Sequence, residues 1–285
     1  MGDYNIFHHM PWSSAYSIYF FTIGISAALF FMSALSWYRA EFKTLRTSAF
    51  YLSFVLLVVS GLLLIGDLSK PARFLNTLNP AYLSFSSPLA WGALNLASFG
   101  AVSVAYFFMM RKENEAMSRK LAVLGSLLAL GLPIYTGFDL TVHQGRPVWN
   151  TPLMPVLFVA LSLVSGAAVA SFLADKQEKL LVILRQIMLW SGGAVAAMLI
   201  SLLGTTAYGG TGEELTFMFM TSGMLGAIFI GIGILLGTAA PILLLLAPFG
   251  RQQGGVMLAA LLLLVGGMAL RYSILVGGQI VQTYF

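Results

Sequence analysis

Eight long apolar runs constrain this chain more than any other feature of its sequence. A helix needs about 20 apolar residues to cross the hydrocarbon core of a bilayer. The runs are continuously apolar rather than alternating, and lipid requires each backbone group to find its partner within the segment, so helices are favoured over strands. The runs cover residues 14–38, 49–66, 88–110, 121–138, 152–174, 187–207, 217–246 and 255–280 of the 285-residue sequence.

The scarcity of charge supports the same interpretation. Only 9% of the residues are charged, whereas a soluble domain carries about 25%. The sequence therefore predicts an all-α, polytopic membrane protein with eight transmembrane helices in two four-helix bundles, and a single transmembrane domain over 1–285. The seventh run is the longest, and we expect it to tilt or bend near Pro241, or to leave the membrane at one end.

The basic residues predict the orientation. Eight crossings place both termini on one side, and the loops after the first, third, fifth and seventh runs hold eleven of the fifteen Lys and Arg residues. The positive-inside rule assigns those loops to the cytoplasm. We therefore expect a bacterial inner-membrane protein with both termini in the periplasm. The net charge of +5 then reflects topology rather than nucleic-acid binding.

The loop after the second run carries charged residues at a predicted outer helix end. Asp67 lies close in sequence to Lys70 and Arg73, with Pro71 between the two cations. Ionisable groups near the membrane tend to face protein or water. These residues are interpreted either as a charge network able to pass a proton beside a site, or as a structural clamp that holds the loop.

The end of the fourth run carries a second polar group. Tyr135 and Asp139 are four residues apart, so they share a face if the helix continues that far. A phenol beside a carboxylate could bind and protonate a carbonyl oxygen. The alternative is an ordinary interfacial tyrosine followed by an aspartate that caps a helix. Arg146, Trp149 and Asn150 indicate that the following loop is ordered.

Histidine and cysteine limit the redox chemistry of the chain. The sequence has no cysteine, which excludes a cysteine-held iron–sulfur cluster within it. Its three histidines, His8, His9 and His143, all lie outside the runs, so a bis-histidine haem in the bilayer is not expected. His8 and His9 either are solvated terminal residues or line a pocket at the outer surface.

Arg271 is the one cation deep inside a run. It lies more than two helical turns from the outer end of the eighth run, beyond the reach of its own side chain. We expect it to face the bundle and to meet a carbonyl or an acid, either as a functional or gating group or as a structural contact. The candidate acids are Asp67, Asp139, Glu213 and Glu214.

Five motifs, in order along the chain, resemble those of the NrfD/PsrC family. The likeness extends from the first run to the eighth. The motifs are Gly66-Asp67-Leu68 with Pro71, Arg73 and Phe74; Ser87-Pro88 with Trp91-Gly92; Tyr135-Thr136-Gly137; Gly145-Arg146-Pro147 with Trp149-Asn150-Thr151-Pro152; and Arg271-Tyr272 with Gly277-Gly278-Gln279.

This resemblance implies a haem-free membrane subunit of a respiratory molybdopterin oxidoreductase. Such subunits bind menaquinone or ubiquinone near the outer face and dock a four-cluster iron–sulfur subunit, which exchanges electrons with a molybdopterin catalytic subunit. Family resemblance assigns Tyr135 to the quinone pocket and makes His9 the best match for a polar residue before the first helix. Met10-Pro11-Trp12 departs from the polar lead expected there.

The functional hypothesis is therefore a quinone-binding anchor without a metal or redox centre of its own, and not a complete enzyme. Quinol is expected to bind at Tyr135, His9 and Asp139, with His9, Asp67 and Asp139 as proton acceptors. Arg73, Arg146 and Arg271 are assigned to a proton path or a structural charge network. A proton or ion transporter without quinone chemistry and a passive anchor remain as alternatives.

Overall fold

The helices of the computed structural model confirm the predicted class of protein. The structure describes residues 12–67, 88–174 and 177–281, and within these ranges it contains eight helices long and apolar enough to span a membrane and no strand. The helices are α1 Ser14–Leu35, α2 Leu45–Asp67, α3 Pro88–Arg111, α4 Glu115–Thr141, α5 Leu153–Leu173, α6 Glu178–Ala207, α7 Thr211–Thr221, α8 Gly223–Leu246 and α9 Gln253–Ile280.

The seventh run contains one spanning helix, as predicted, but that helix begins later than the run, and the interruption is not at Pro241. The run 217–246 is divided between α7 and α8 at Ser222, whose backbone is extended (φ −116°, ψ 162°). Gly223 follows with φ 58°, a left-handed conformation that glycine adopts without steric cost. The short helix α7 therefore precedes a spanning helix that begins at Gly223, and the break lies there rather than near Pro241.

The middle of α8 is π-helical over Ala227–Ala239. Its hydrogen bonds reach five residues back, as the backbone N–H of Ala240 does to Leu235 O. Such turns are rare and usually brief. This stretch packs against α9 with almost no side chain between the backbones: a Cβ added to Gly237 would lie 2.0 Å from Gly266 Cα. Small residues allow this close approach, which drives helix association in lipid.

Helix α1 lies at the centre of the molecule. It packs along α2 and α4 in the first group of four spans, and along α5 and α9 in the second group. In the most apolar stretch of α1, 72% of the residues are buried, against 17% in the corresponding stretch of α3. The two predicted four-helix groups are thus α1–α4 and α5, α6, α8 and α9, and they share a broad interface through α1, α4 and α5.

The two ends of the bundle differ in character. At the terminal face, where α1 begins and α9 ends, the side-chain amide of Gln279 donates to Trp12 O at 3.3 Å. The opposite end, the basic face, carries the connections α1–α2, α3–α4, α5–α6 and α8–α9. These are the loops in which the sequence concentrates its basic residues.

Candidate functional site

The end of α4 brings Tyr135 and Asp139 onto one helix face, as predicted. The helix continues to Thr141 in spite of Pro133 in its interior. Proline removes one helical hydrogen bond and disturbs the preceding turn. Asn95 of α3 donates from its side-chain amide to Leu128 O at 3.2 Å and so ties α3 to α4 just before this point. The Tyr135–Asp139 segment lies beyond it, towards the terminal face.

Asp139 is the most informative residue of this segment. Its side chain is buried, with 7% of its surface exposed. No hydrogen bond or ion pair joins its carboxyl to another described residue. It is close enough to Tyr135 and Tyr19 to interact with both electrostatically. A buried carboxyl without a hydrogen-bonded partner costs stability, so the position is better explained by chemistry than by folding.

This carboxyl and three neighbouring tyrosines form what we call the Tyr–Asp cluster: Tyr16, Tyr19, Tyr135 and Asp139. Tyr16 and Tyr19 lie one turn apart on α1, with ring centroids 5.5 Å apart. Both interact electrostatically with Tyr135. Tyr19 and Tyr135 therefore lie near one buried carboxyl where α1 and α4 pack together, and Tyr16 adjoins both tyrosines.

The Tyr135 ring is held against the neighbouring helix by a glycine. A Cβ on Gly92 of α3 would lie 2.0 Å from Tyr135 Cζ. The absence of a side chain at Gly92 therefore leaves room for the phenol ring against the α3 backbone. Tyr135 as a whole residue is half-buried.

An aromatic group adjoins the cluster on the terminal face. Trp12 stacks on Tyr16 with ring centroids 5.0 Å apart and on Trp149 at 5.2 Å. His143 meets the Trp12 ring edge-on at 5.2 Å. Burial lowers the pKa of His143 below its usual 6.5, and the nearby Arg146 charge lowers this pKa further. The imidazole is therefore neutral at pH 7 and can accept a proton.

The loop after α4 is fastened to the end of α9, and the ordered loop predicted there is confirmed. Arg146 is buried, and its Nη1 donates to Gln279 O at 2.6 Å and to Gly278 O at 3.4 Å. A cation placed on the last carbonyls of a helix also complements the helix dipole. Trp149 Nε1 donates to Ile274 O at 2.7 Å. Of the two predicted roles of Arg146, this geometry favours the structural one.

Arg271 faces the bundle interior and meets a carbonyl, as predicted. Its side chain is fully buried, and Nη1 donates to Gly267 O at 3.0 Å. Nη2 donates to Ser162 Oγ at 3.3 Å. Its Nε has no hydrogen-bond partner among the described residues. The guanidinium therefore has neutral acceptors and one unsatisfied donor.

The acidic partners considered for Arg271 are not found in the described part of the chain. Asp139, Glu213 and Glu214 form no ion pair with it, and the Asp67 side chain lies outside the described residues. The predictions for His9 and Arg73 also lie outside them. The structure consequently brings Tyr135 and Asp139 together, while Arg146 and Arg271 donate hydrogen bonds to α9 carbonyls, and Arg271 also to Ser162.

Replacing Arg271 by methionine is expected to leave the protein at least as thermally stable as wild type. A buried cation loses several kcal/mol of hydration, and the neutral acceptors around Arg271 offset only part of that cost. The measurement is the apparent Tm of the full chain in one detergent. Arg271→Ala is the matched control, because it removes the charge and also leaves a cavity, and it should lower the Tm. A Tm of Arg271→Met below that of the wild type would contradict this account.

Three residues of the site were not predicted from the sequence. Tyr16 and Tyr19 are three residues apart, a spacing that places them on one helix face, and this signal was available. His143 follows Asp139 by four residues but lies beyond the end of α4, so helical spacing did not indicate its position. Within the described residues no group of three His, Cys, Asp or Glu side chains could hold a metal ion.

The fold and this site define a multi-pass, all-α membrane protein with a polar cluster at one end of its bundle. Residues 4–282 match the family described as "Polysulphide reductase, NrfD", and the chain belongs to this NrfD family.

Individual relatives agree with the family match. The protein is 29% identical to a component of the polysulfide reductase of Wolinella succinogenes, over 98% of its own length and 97% of that relative. It is 29% identical to a subunit of the tetrathionate reductase of Salmonella typhimurium, over 52% of its own length and 44% of that relative. Identity to a subunit of the selenate reductase of Mesobacillus selenatarsenatis is 26%, over 58% and 48% of the two sequences. The protein is thus similar to subunits of several reductases.

Proposed function

We propose that the chain is the haem-free, quinone-binding membrane subunit of a respiratory oxidoreductase complex, with its quinone site at the Tyr–Asp cluster. The observation that carries this proposal is the buried Asp139 carboxyl, which has no hydrogen-bonded partner among the described residues and lies beside Tyr135. The kinship with reductase subunits supports it. The chain supplies the membrane site, while metal-based electron transfer belongs to partner subunits.

The residues present fit a quinone. A quinone ring is a flat, apolar body with two carbonyl oxygens, and small-molecule sites generally pair an apolar lining with a few polar groups. Trp12 and Tyr16 stack on each other with ring centroids 5.0 Å apart and give this end of the bundle an aromatic, apolar character. Tyr135, a half-buried residue, carries a hydroxyl that can donate a hydrogen bond to a carbonyl oxygen or accept one from a quinol hydroxyl.

Proton transfer determines the role of the acidic and basic groups. Oxidation of a quinol to a quinone releases two electrons and two protons, and each proton needs an acceptor within hydrogen-bond reach. Asp139 takes one proton from a quinol hydroxyl, and His9 or Asp67, the other acceptors assigned from the sequence, takes the second. The neutral imidazole of His143 lies nearer the terminal face, where Trp149 and Trp12 contact it. His143 can pass a proton on to the aqueous side.

The sidedness and partners complete the proposal. The terminal face is the periplasmic face of a bacterial inner membrane, as the distribution of basic residues favours. An iron–sulfur subunit of the four-cluster type docks there and exchanges electrons with a molybdopterin catalytic subunit. The quinone is menaquinone or ubiquinone. Of the residues assigned from the sequence, His9 and Asp67 remain proposed members of this site.

A proton or ion transporter is the second candidate, and Arg271 is the observation in its favour. A fully buried cation with an unsatisfied Nε is costly in a membrane helix and typical of ion or proton pathways. Arg271 is not a member of the Tyr–Asp cluster, so the two functions make different predictions. A transporter would translocate ions in a sealed vesicle without any quinone analogue bound.

Tyr135→Phe is expected to weaken binding of a quinol analogue to the purified complex by about five- to tenfold, because one hydrogen bond contributes about 1–1.5 kcal/mol. Binding is measured by titration of the complex in detergent. Tyr208→Phe is the matched control, since Tyr208 is 91% exposed and lies outside the cluster. Equal affinities for all three proteins would refute the assignment of Tyr135.

A further inference from the structure

A cleft at the basic face, far from the Tyr–Asp cluster, has the construction of an anion site. Its volume is ≈ 230 Å³. It lies between the end of α1, the first turns of α2 and the last turns of α3. We call it the Arg46–Arg111 cleft, and its lining residues are Trp37, Arg46, Thr47, Tyr51, Phe107, Met110 and Arg111.

Arg46 is held rigidly on one wall of the cleft. Its guanidinium lies over the Trp37 ring, 3.7 Å from the centroid. Its Nε donates to Ser36 Oγ at 2.8 Å and its Nη2 to Ser36 O at 3.0 Å. The Trp37 ring is itself fixed, because its Nε1 donates to the buried Tyr106 hydroxyl at 2.7 Å. The cation is thus in place before any ligand arrives.

Arg111 supplies the opposite wall. Its guanidinium lies over the Phe107 ring at 5.5 Å, and no hydrogen bond or ion pair joins it to another described residue. Arg46 likewise has no ion pair in the described part of the chain, and its Nη1 makes no hydrogen bond there. Two cations that repel each other therefore line one cleft without an acid between them.

We propose that the Arg46–Arg111 cleft binds the phosphate diester headgroup of an anionic phospholipid. Guanidinium groups match phosphate oxygens in geometry and charge. Thr47 adds a hydroxyl from the first turn of α2, where the helix dipole also favours an anion.

The position at the helix ends, beside the exposed Tyr51 and Phe108 side chains, places the cleft at the membrane boundary. Acyl chains of a bound lipid would lie in the bilayer along α2 and α3. Basic pockets between helix ends are a known mode of headgroup recognition.

The test is a lipid titration of the full chain in a neutral detergent, with bound lipid counted by native mass spectrometry. Phosphatidylglycerol should bind more tightly than phosphatidylcholine. Arg111→Gln should weaken phosphatidylglycerol binding about fivefold, and the double variant Arg46→Gln, Arg111→Gln about 25-fold, because each surface cation contributes about 1 kcal/mol. The Arg111 side chain makes no hydrogen bond to another described residue, so its replacement tests binding and removes no contact that holds the fold.

Lys120→Gln is the matched control. Lys120 is an exposed cation at the start of α4 on the same face and does not line the cleft. Its loss should change binding less than twofold. Equal losses for Arg111→Gln and Lys120→Gln would show general attraction to the basic face and overturn the site. A third arm adds inorganic phosphate alone. Displacement of the lipid by phosphate at concentrations similar to those of the lipid would also overturn the lipid site in favour of a free-anion site.

Discussion

Asp139→Asn is expected to lower quinol oxidation by the complex by about 100-fold or more, since removal of a positioned proton acceptor costs 10²–10⁴-fold. Asparagine has nearly the same shape as aspartate but does not accept the proton. The Asp139 carboxyl makes no hydrogen bond to a described residue, so the substitution breaks no known contact and should preserve the fold. The measurement is the rate of electron transfer from a quinol analogue to the terminal acceptor in isolated membranes.

Two further variants make this result interpretable. Glu214→Gln removes an exposed carboxyl at the start of α7 and should leave the rate unchanged. Asp139→Glu retains a carboxyl and should recover part of the activity. Binding of the quinol analogue should change less in Asp139→Asn than in Tyr135→Phe, because the proposed role of Asp139 is proton transfer. Wild-type turnover in Asp139→Asn would remove Asp139 from the mechanism.

Gly266→Ala is expected to destabilise the protein by about 1–3 kcal/mol, the usual cost of adding volume to a packed interior. The added Cβ would lie 2.2 Å from Gly237 Cα, and that neighbour is backbone rather than a side chain that can rotate away. Helices α8 and α9 would have to separate. The apparent Tm of the full chain in detergent, followed by far-ultraviolet circular dichroism, should fall.

Gly193→Ala is the matched control for this packing effect. A Cβ at Gly193 in α6 would meet no atom within 4 Å, and alanine is the better helix former by about 0.5–1 kcal/mol. Its Tm should stay the same or rise. Gly237→Ala should resemble Gly266→Ala, and the double variant should lose less than the sum, because both substitutions strain one contact. Additive losses would show that the two glycines are not coupled.

The Tyr–Asp cluster shows how far spacing alone could predict the site. Tyr135 and Asp139 lie on one helix, so a separation of four residues was enough to place them on one face. Tyr19 lies near the same carboxyl from α1, and Tyr16 interacts with Tyr135 from the same helix. Hydropathy does not identify which helices are neighbours, because every span in lipid is apolar around most of its surface.

Arg271 and the end of α9 show that sequence spacing could not predict the hydrogen-bond partners of charged groups either. Burial of Arg271 could be predicted, since its side chain is too short to reach the membrane surface. Its acceptors, Ser162 Oγ and Gly267 O, could not be distinguished from the candidate acids. The role of Arg146 as a donor to the carbonyl of Gln279 also depends on a helix more than 130 residues away in the chain.

The eight apolar runs by themselves determined the class of protein, the number of spans and the concentration of basic loops at one end, because lipid admits few backbone structures and charge resists transfer across it. Only the tertiary structure decided the neighbours of α1, the break before Gly223 and the contact between Gly237 and Gly266. These features depend on how small side chains and backbone surfaces fit between helices. The hydropathy of the sequence does not specify that fit.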